Sequence, residues 1–295
     1  MVEGALLTLR KTCFGFALSL AAVACSSAVP SPSRPDTAAP ALQPVLVASE
    51  LAVGEQRVPV GILEHNSPVV DATVHLRAYR QSASDPLATE ADAPFKGNGL
   101  LGKGVYVAPL RFAAPGRWII EVRADRQGRA AMVSPLSVNV LPKLTVPAVG
   151  DPAPATRNLT LRDVADVRDI DSGNPPDDMH DLSIADAIAQ KRATLVVFAT
   201  PAFCTSAMCG PEVHAVQALE PAYRDRLAFI HVEIYQDFRT DPSKRRLTPA
   251  VQEWRLQSEP WVFLIDARGI IRATFEGPAA TDELRIAIDR MLGAT

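Results

Sequence analysis

Cysteine is scarce in this sequence, with four in 295 residues, and any excess of basic charge is missing. Lys and Arg number 30 against 33 Asp and Glu, a net charge of −3, and no local basic run offsets it. Without a positive field to displace counterions from a phosphate backbone, nucleic-acid partners are excluded. The apolar run at residues 13–24 falls short of the ~20 residues that a membrane-crossing helix needs. No Cys and His stand at the short spacing of a zinc motif, so no metal ligand is assigned, and no cofactor. What is present is a 47% hydrophobic content and a length that suits two ordinary domains.

The apolar run at 13–24 follows Arg10 and Lys11 and ends in Leu20-Ala21-Ala22-Val23-Ala24-Cys25-Ser26. Charge, apolar core and small residues in that order make residues 1–24 a signal peptide. The stretch before Cys25 resembles the bacterial lipobox. That resemblance implies a lipidated Cys25 and a membrane-anchored, extracytoplasmic protein of the cell envelope. Residues 25–44, rich in Pro, Ser and Ala, are expected to be a disordered tether. With Cys13 removed and Cys25 lipidated, Cys204 and Cys209 are the remaining thiols. In an oxidising compartment such a pair can persist as a disulfide.

From 45 to 141 the pattern alternates. Val74, Leu76 and Ala78 interleave with polar residues, as do Trp118, Ile120 and Val122, and turn residues punctuate the runs. A sandwich of about seven strands is expected, and the segment around Val105 and Trp118 resembles an immunoglobulin-like domain. Nothing in it forms a catalytic constellation, so it reads as a binding or spacer module. Pro147, Gly150, Pro152 and Pro154 mark residues 142–157 as a linker, and a chain beginning at Ala148 is expected to fold alone.

Residues 158–295 alternate strand and helix. A β-branched run at 195–199 leads into Cys204-Thr-Ser-Ala-Met-Cys209-Gly-Pro, and helical spacing resumes at Val213, Val216 and Leu219. Two cysteines at a strand-to-helix junction, near the positive end of a helix, are placed to stabilise a thiolate. Because Gly210 precedes Pro211, the helix is expected to start at Pro211, leaving 205–210 free to turn. Further on, 227–234 reads as a strand, 247–256 as a helix, 262–265 and 270–275 as a hairpin, and Thr281 as the cap of a last helix.

The order of these elements, the phrase Val149-Gly-Asp-Pro-Ala-Pro154 and the Glu259-Pro260 step before the hairpin resemble exported thioredoxin-like proteins related to the cytochrome-maturation and peroxiredoxin groups. The resemblance covers about 149–292. It implies an α/β thioredoxin-like fold after the sandwich, with Cys204 attacking, Cys209 resolving, and Pro260, as a cis-proline, holding Glu259 where an extended substrate chain would bind. Protein thiols or disulfides are the implied substrates, with a membrane electron donor. The chain departs from the family in spacing its cysteines by four residues rather than two. It also carries Glu259 where relatives mostly have an uncharged residue, and a carboxylate there is expected to raise the pKa of Cys204. Peroxidase chemistry is disfavoured, because neither cysteine has the Thr three residues before it that peroxiredoxins carry.

Two other readings stay open. Exported copper chaperones use two cysteines in a similar loop with a distant histidine, and here Cys204, Met208, Cys209 and one of His180, His214 or His231 are the available donors. The chain can also be a redox-inactive binding lipoprotein. The acidic run of Asp163, Asp166, Asp169, Asp171, Asp177, Asp178 and Asp181 lacks calcium-loop spacing and is expected to be a solvated loop.

Overall fold

The computed structural model describes residues 42–126 and 129–293. Cys25, the leader and nearly all of the tether lie outside them. Among the described residues, no helix is long and apolar enough to cross a membrane.

The first part folds as two facing sheets. One has β1 (Gln43–Leu46), β3 (Gly54–Glu64), β8 (Val105–Phe112) and β7 (Phe95–Lys96) in that order, with β4 (Ser67–Pro68) against β3. The other runs β2 (Leu51–Ala52), β10 (Arg129–Leu141), β9 (Gly116–Arg126), β5 (Thr73–Arg80) and β6 (Leu87–Ala93). Period-two alternation turns Val58, Val60 and Ile62 of β3, Leu76 and Ala78 of β5, and Ile120 and Val122 of β9 into a shared core. Trp118 is in it, edge-on to Phe112, with its indole N–H donated to the Ala114 carbonyl. Among the described residues there are ten strands rather than about seven, because β2, β4 and β7 are two-residue pieces. The tether ends earlier than expected, since β1 already pairs Gln43 with Leu63.

The second part centres on a four-stranded sheet, ordered β12 (Ala228–Glu233), β11 (Thr194–Ala199), β15 (Trp261–Ile265) and β16 (Ile271–Glu276). β12 runs parallel to β11, while β15 and β16 are antiparallel to their neighbours. All six residues of β11 are buried, as a central strand covered on both faces requires. Leu195, Val197 and Ala199 face α2 (Cys209–Gln217) and α5 (Thr281–Leu292); Val196 and Phe198 face α1 (Ile184–Ala189) and α4 (Pro249–Trp254). A one-turn α3 (Glu220–Tyr223) and the short pair β13 (Tyr235–Gln236) and β14 (Arg246–Leu247) complete it.

Several boundaries differ from those expected. α2 begins at Cys209, two residues ahead of Pro211. The first turn of a helix has no intrahelical use for its N–H groups, so a proline at the third position costs nothing there. α4 is shorter than 247–256, because Leu247 belongs to β14 and Arg255 ends the helix in the left-handed region at φ 57°. α5 is capped at Ala280, not Thr281. Ala280 has no side-chain oxygen, so Glu283 reaches back to its N–H, while the Thr281 N–H goes to the Asn98 carbonyl of the sandwich.

That last bond belongs to a broad contact, and the described residues all fall within one compact unit. Arg57 of β3 donates to both carboxylate oxygens of Glu283, each at 3.1 Å, and to the carbonyls of Glu276 and Pro278. Lys96 meets Asp282 at 3.0 Å. Leu100, at the tip of the β7–β8 loop, is fully buried against Met208, Ala215 and Ala280. The 142–157 segment is packed too. Glu50 accepts the Thr145 and Val146 N–H groups, Val146 joins the α1/α4 core, and Gly150 donates to the Ile271 carbonyl. A chain starting at Ala148 would lose Val146 and the whole Leu100 contact.

Candidate functional site

The turn between β11 and α2 places both cysteines. The Cys204 N–H returns to the Thr200 carbonyl and the Ala207 N–H to the Cys204 carbonyl, and Ala207 adopts the left-handed region at φ 55°. That reversal brings the first N–H of α2, from Cys209, to 3.2 Å from Cys204 Sγ. Four intervening residues can therefore bring the pair together even though α2 starts at the second cysteine. The loop is held from outside: Lys103 Nζ, from the β7–β8 loop, donates to the Ala207 carbonyl at 2.7 Å.

Cys204 is half-buried and Cys209 fully buried; both are free thiols. The Cys204 thiol is pulled from 9.0 to about 5, first by the hydrogen bond that the Cys209 thiol donates to it. Burial pushes the other way, but the Ser206 hydroxyl at 3.2 Å and the Cys209 and Met208 N–H groups outweigh it. Cys209 is pushed far up, by donating that same bond and by burial.

Glu259 lies close enough for its carboxyl to be raised by burial and then by the Cys204 charge, while the Thr205 N–H opposes both. The net shift of Cys204 is nonetheless downward, because the donors at short range outweigh any upward push from the Glu259 carboxylate. The Glu259–Pro260 peptide is cis and leads directly into β15. Beside the loop, Phe203 packs edge-on to Tyr235, with the Arg245 guanidinium 5.0 Å from the Phe203 ring centre.

Glu212, one turn into α2, escaped the sequence reading. It is fully buried. Oε2 accepts the Ala279 N–H at 2.8 Å, and Oε1 has no partner. Burial raises it from 4.5 to about 8, with only partial relief from that N–H and from Arg57, so it is protonated at neutral pH. The folded state then holds a proton that the unfolded chain gives up between pH 4.5 and about 8, and stability is lost as pH rises through that window. Glu212→Gln should flatten this slope and raise the denaturant midpoint at pH 8 but not at pH 4.5. The gain at pH 8 is expected to be on the order of a few kcal/mol. Equal shifts at both pH values would show that Glu212 does not titrate there.

The acidic run is not simply a solvated loop. Asp171 is buried, and Asp177 has only 5% of its side chain exposed. Both turn inward onto His180 and His231, which are buried as well. His231 sits in β12 opposite Val197, and its backbone N–H bonds the Met179 carbonyl, so the 177–180 segment lies along the outer edge of that strand. The signal in the sequence was a histidine inside the apolar strand Ala228–Glu233, where an unpartnered imidazole is costly. Facing carboxylates raise both rings: His180 reaches about 9, where burial is outweighed by bonds to Asp171 and Asp177, and His231 shifts the same way against burial through Asp177. His214 is exposed on α2. Among the described residues, neither cysteine belongs to a group of three or more His, Cys, Asp or Glu that converge as metal ligands do.

No protein-family model and no curated protein matches the chain. Among solved structures it is similar to the fibronectin type-III domain of human fibronectin type III domain containing protein 3. Identity is 11%, over 36% of this chain and 87% of that domain, with a TM-score of 0.24. The sandwich assignment for the first part rests on its strand pairing.

Proposed function

We propose that the protein is a thiol-disulfide oxidoreductase whose second part is thioredoxin-like, tethered through Cys25 outside the cytoplasm. The observation that carries the reading is the Cys204 sulfur at the start of α2, accepting from the Cys209 N–H and thiol together. The β11–α2–β12 and β15–β16–α5 order agrees with that fold, with Pro260 directly before β15. In the reaction, the Cys204 thiolate attacks one sulfur of a substrate disulfide and expels the other as a thiolate. Cys209 then gives up its proton and attacks Cys204, releasing the substrate dithiol and leaving a Cys204–Cys209 disulfide. Run backwards, the same steps oxidise a substrate dithiol.

Direction follows from which state the protein favours. Every donor around Cys204 stabilises the reduced thiolate, so the disulfide is an oxidant and the substrates are dithiols. A nucleophile at about 5 falls between the thioredoxin and strongly oxidising cases, which places the expected potential between roughly −270 and −120 mV. A redox titration of the full chain against glutathione should show one reversible two-electron transition in that range. Stoichiometric copper binding by the two cysteines with no such transition would favour the copper chaperone. The absence of both would leave a binding lipoprotein. The copper reading is weakened by the engagement of His180 and His231 with Asp171 and Asp177.

A further inference from the structure

Asp171, Asp177 and His180 come from the segment before α1 and His231 from β12, yet one donor atom of each lies within 4.8 Å of the other three. His180 Nε2 is 3.2 Å from Asp171 Oδ2 and 3.3 Å from Asp177 Oδ1. His231 Nδ1 is 2.7 Å from Asp177 Oδ2 and 4.0 Å from Asp171 Oδ2. Four donors around a tetrahedral ion with bonds of ~2.0–2.1 Å stand about 3.4 Å apart, within the spread of these separations. We propose that the four residues bind one divalent transition-metal ion of the zinc class, in a closed site that fastens the 171–180 segment behind the cysteine loop.

The donor set selects the ion class. Two imidazoles and two carboxylates suit zinc and its neighbours, whereas calcium and magnesium take oxygen donors in larger number. The surrounding bonds are those that orient ligands. His231 Nε2 lies 3.3 Å from the Ala199 carbonyl, so an N–H there frees Nδ1 for the ion. The Gly173 and Asp177 N–H groups, each at 2.7 Å, hold Asp171, and the Met179 N–H at 2.9 Å holds Asp177.

Hydrogen bonds alone serve these groups less well. Without an ion, the two buried carboxylates are neutralised only by protons held on the imidazole rings, whose centres are 5.1 Å apart, or on the carboxyls themselves, and His180 Nδ1 has no acceptor. A divalent ion balances both carboxylates while the rings stay neutral, and an unpartnered N–H costs less on a neutral ring than on a charged one.

Position gives the site its role. Ala199, which receives His231, ends β11 five residues before Cys204; Ser172 Oγ accepts the Ala202 N–H, and Gln217 of α2 donates to Asp178. The ion would therefore brace both ends of the cysteine turn without touching sulfur.

The test uses the full chain, stripped with a chelator and titrated with zinc. It should take up one zinc per chain, and Cys204→Ser/Cys209→Ser should keep it. X-ray absorption should show nitrogen and oxygen at ~2.0–2.1 Å and no sulfur at ~2.3 Å. His231→Ala should weaken binding by roughly a hundredfold or more. Should that variant misfold, the wild-type spectrum and the double cysteine variant decide without it. A folded wild-type chain that retains no zinc, leaving an ion-pair cluster only, overturns the proposal, as does zinc held by sulfur and lost with the cysteines.

Discussion

Alkylation of the reduced protein by iodoacetamide should reach half its maximal rate near pH 5, and the group modified should be Cys204. An ordinary thiol at 9.0 is about 0.1% ionised at pH 6, whereas Cys204 is about 90% ionised, a ratio near 900. Nucleophilicity falls with basicity, and at a Brønsted slope of 0.4–0.5 a drop of about four pKa units costs roughly 60-fold per thiolate. Cys204 should therefore react roughly tenfold faster than a free thiol at pH 6 and no faster at pH 8. The midpoint is the diagnostic, not the rate at neutral pH. Cys209→Ala removes the leading donor and should move the midpoint upward. Cys209→Ser keeps a hydroxyl that can donate, and should hold the midpoint low while trapping mixed disulfides with partner proteins. Cys204→Ser should trap few, because Cys209 is buried and its thiol is pushed far up. A midpoint near 9, or equal trapping by both serine variants, would remove the oxidoreductase reading.

How much of this was legible in the sequence depends on the range of the interaction concerned. The strand at β11 could be read because Thr194–Ala199 is short, β-branched and bounded by Pro201, and both its faces are covered. The alternation of Val74, Leu76 and Ala78 likewise marked a sandwich face. α2 starts two residues before the point that Gly210-Pro211 suggests, because the rule that a residue before proline avoids helix is weak inside a first turn. Leu100 could not be seen as buried at all. It lies among glycines in a turn, and what covers it, Met208, Ala215 and Ala280, is more than a hundred residues away. The four-residue cluster was hidden for the same reason. Asp171 and Asp177 look like members of an acidic loop until His231, on a strand fifty residues later, is brought beside them.

Loosening the β7–β8 loop should disturb the cysteine turn from a distance. Leu100 fills a pocket closed by Met208, which immediately precedes α2, and Lys103 on the same loop holds the Ala207 carbonyl. Truncation by Leu100→Ala should cost about 2–5 kcal/mol, the range for a buried leucine whose cavity cannot collapse. Lys103→Ala, losing one exposed bond, should cost less than about 1 kcal/mol. Gly99 permits the approach: at φ 78° it tolerates the left-handed turn, and a Cβ built there would collide with Thr281 Oγ1. Gly99→Val should therefore undock the loop outright. Denaturant midpoints read the energetic part, and the pH midpoint of Cys204 alkylation reads the coupling. If the sandwich positions the turn, Gly99→Val and Leu100→Ala lower stability and also shift the alkylation midpoint up, as the Cys209 and Met208 N–H groups lose their aim at the sulfur. If it is only a spacer, stability falls while the midpoint stays near 5. Lys103→Ala separates the two routes, because a shifted midpoint at nearly unchanged stability assigns the control to the Ala207 carbonyl rather than to the Leu100 pocket.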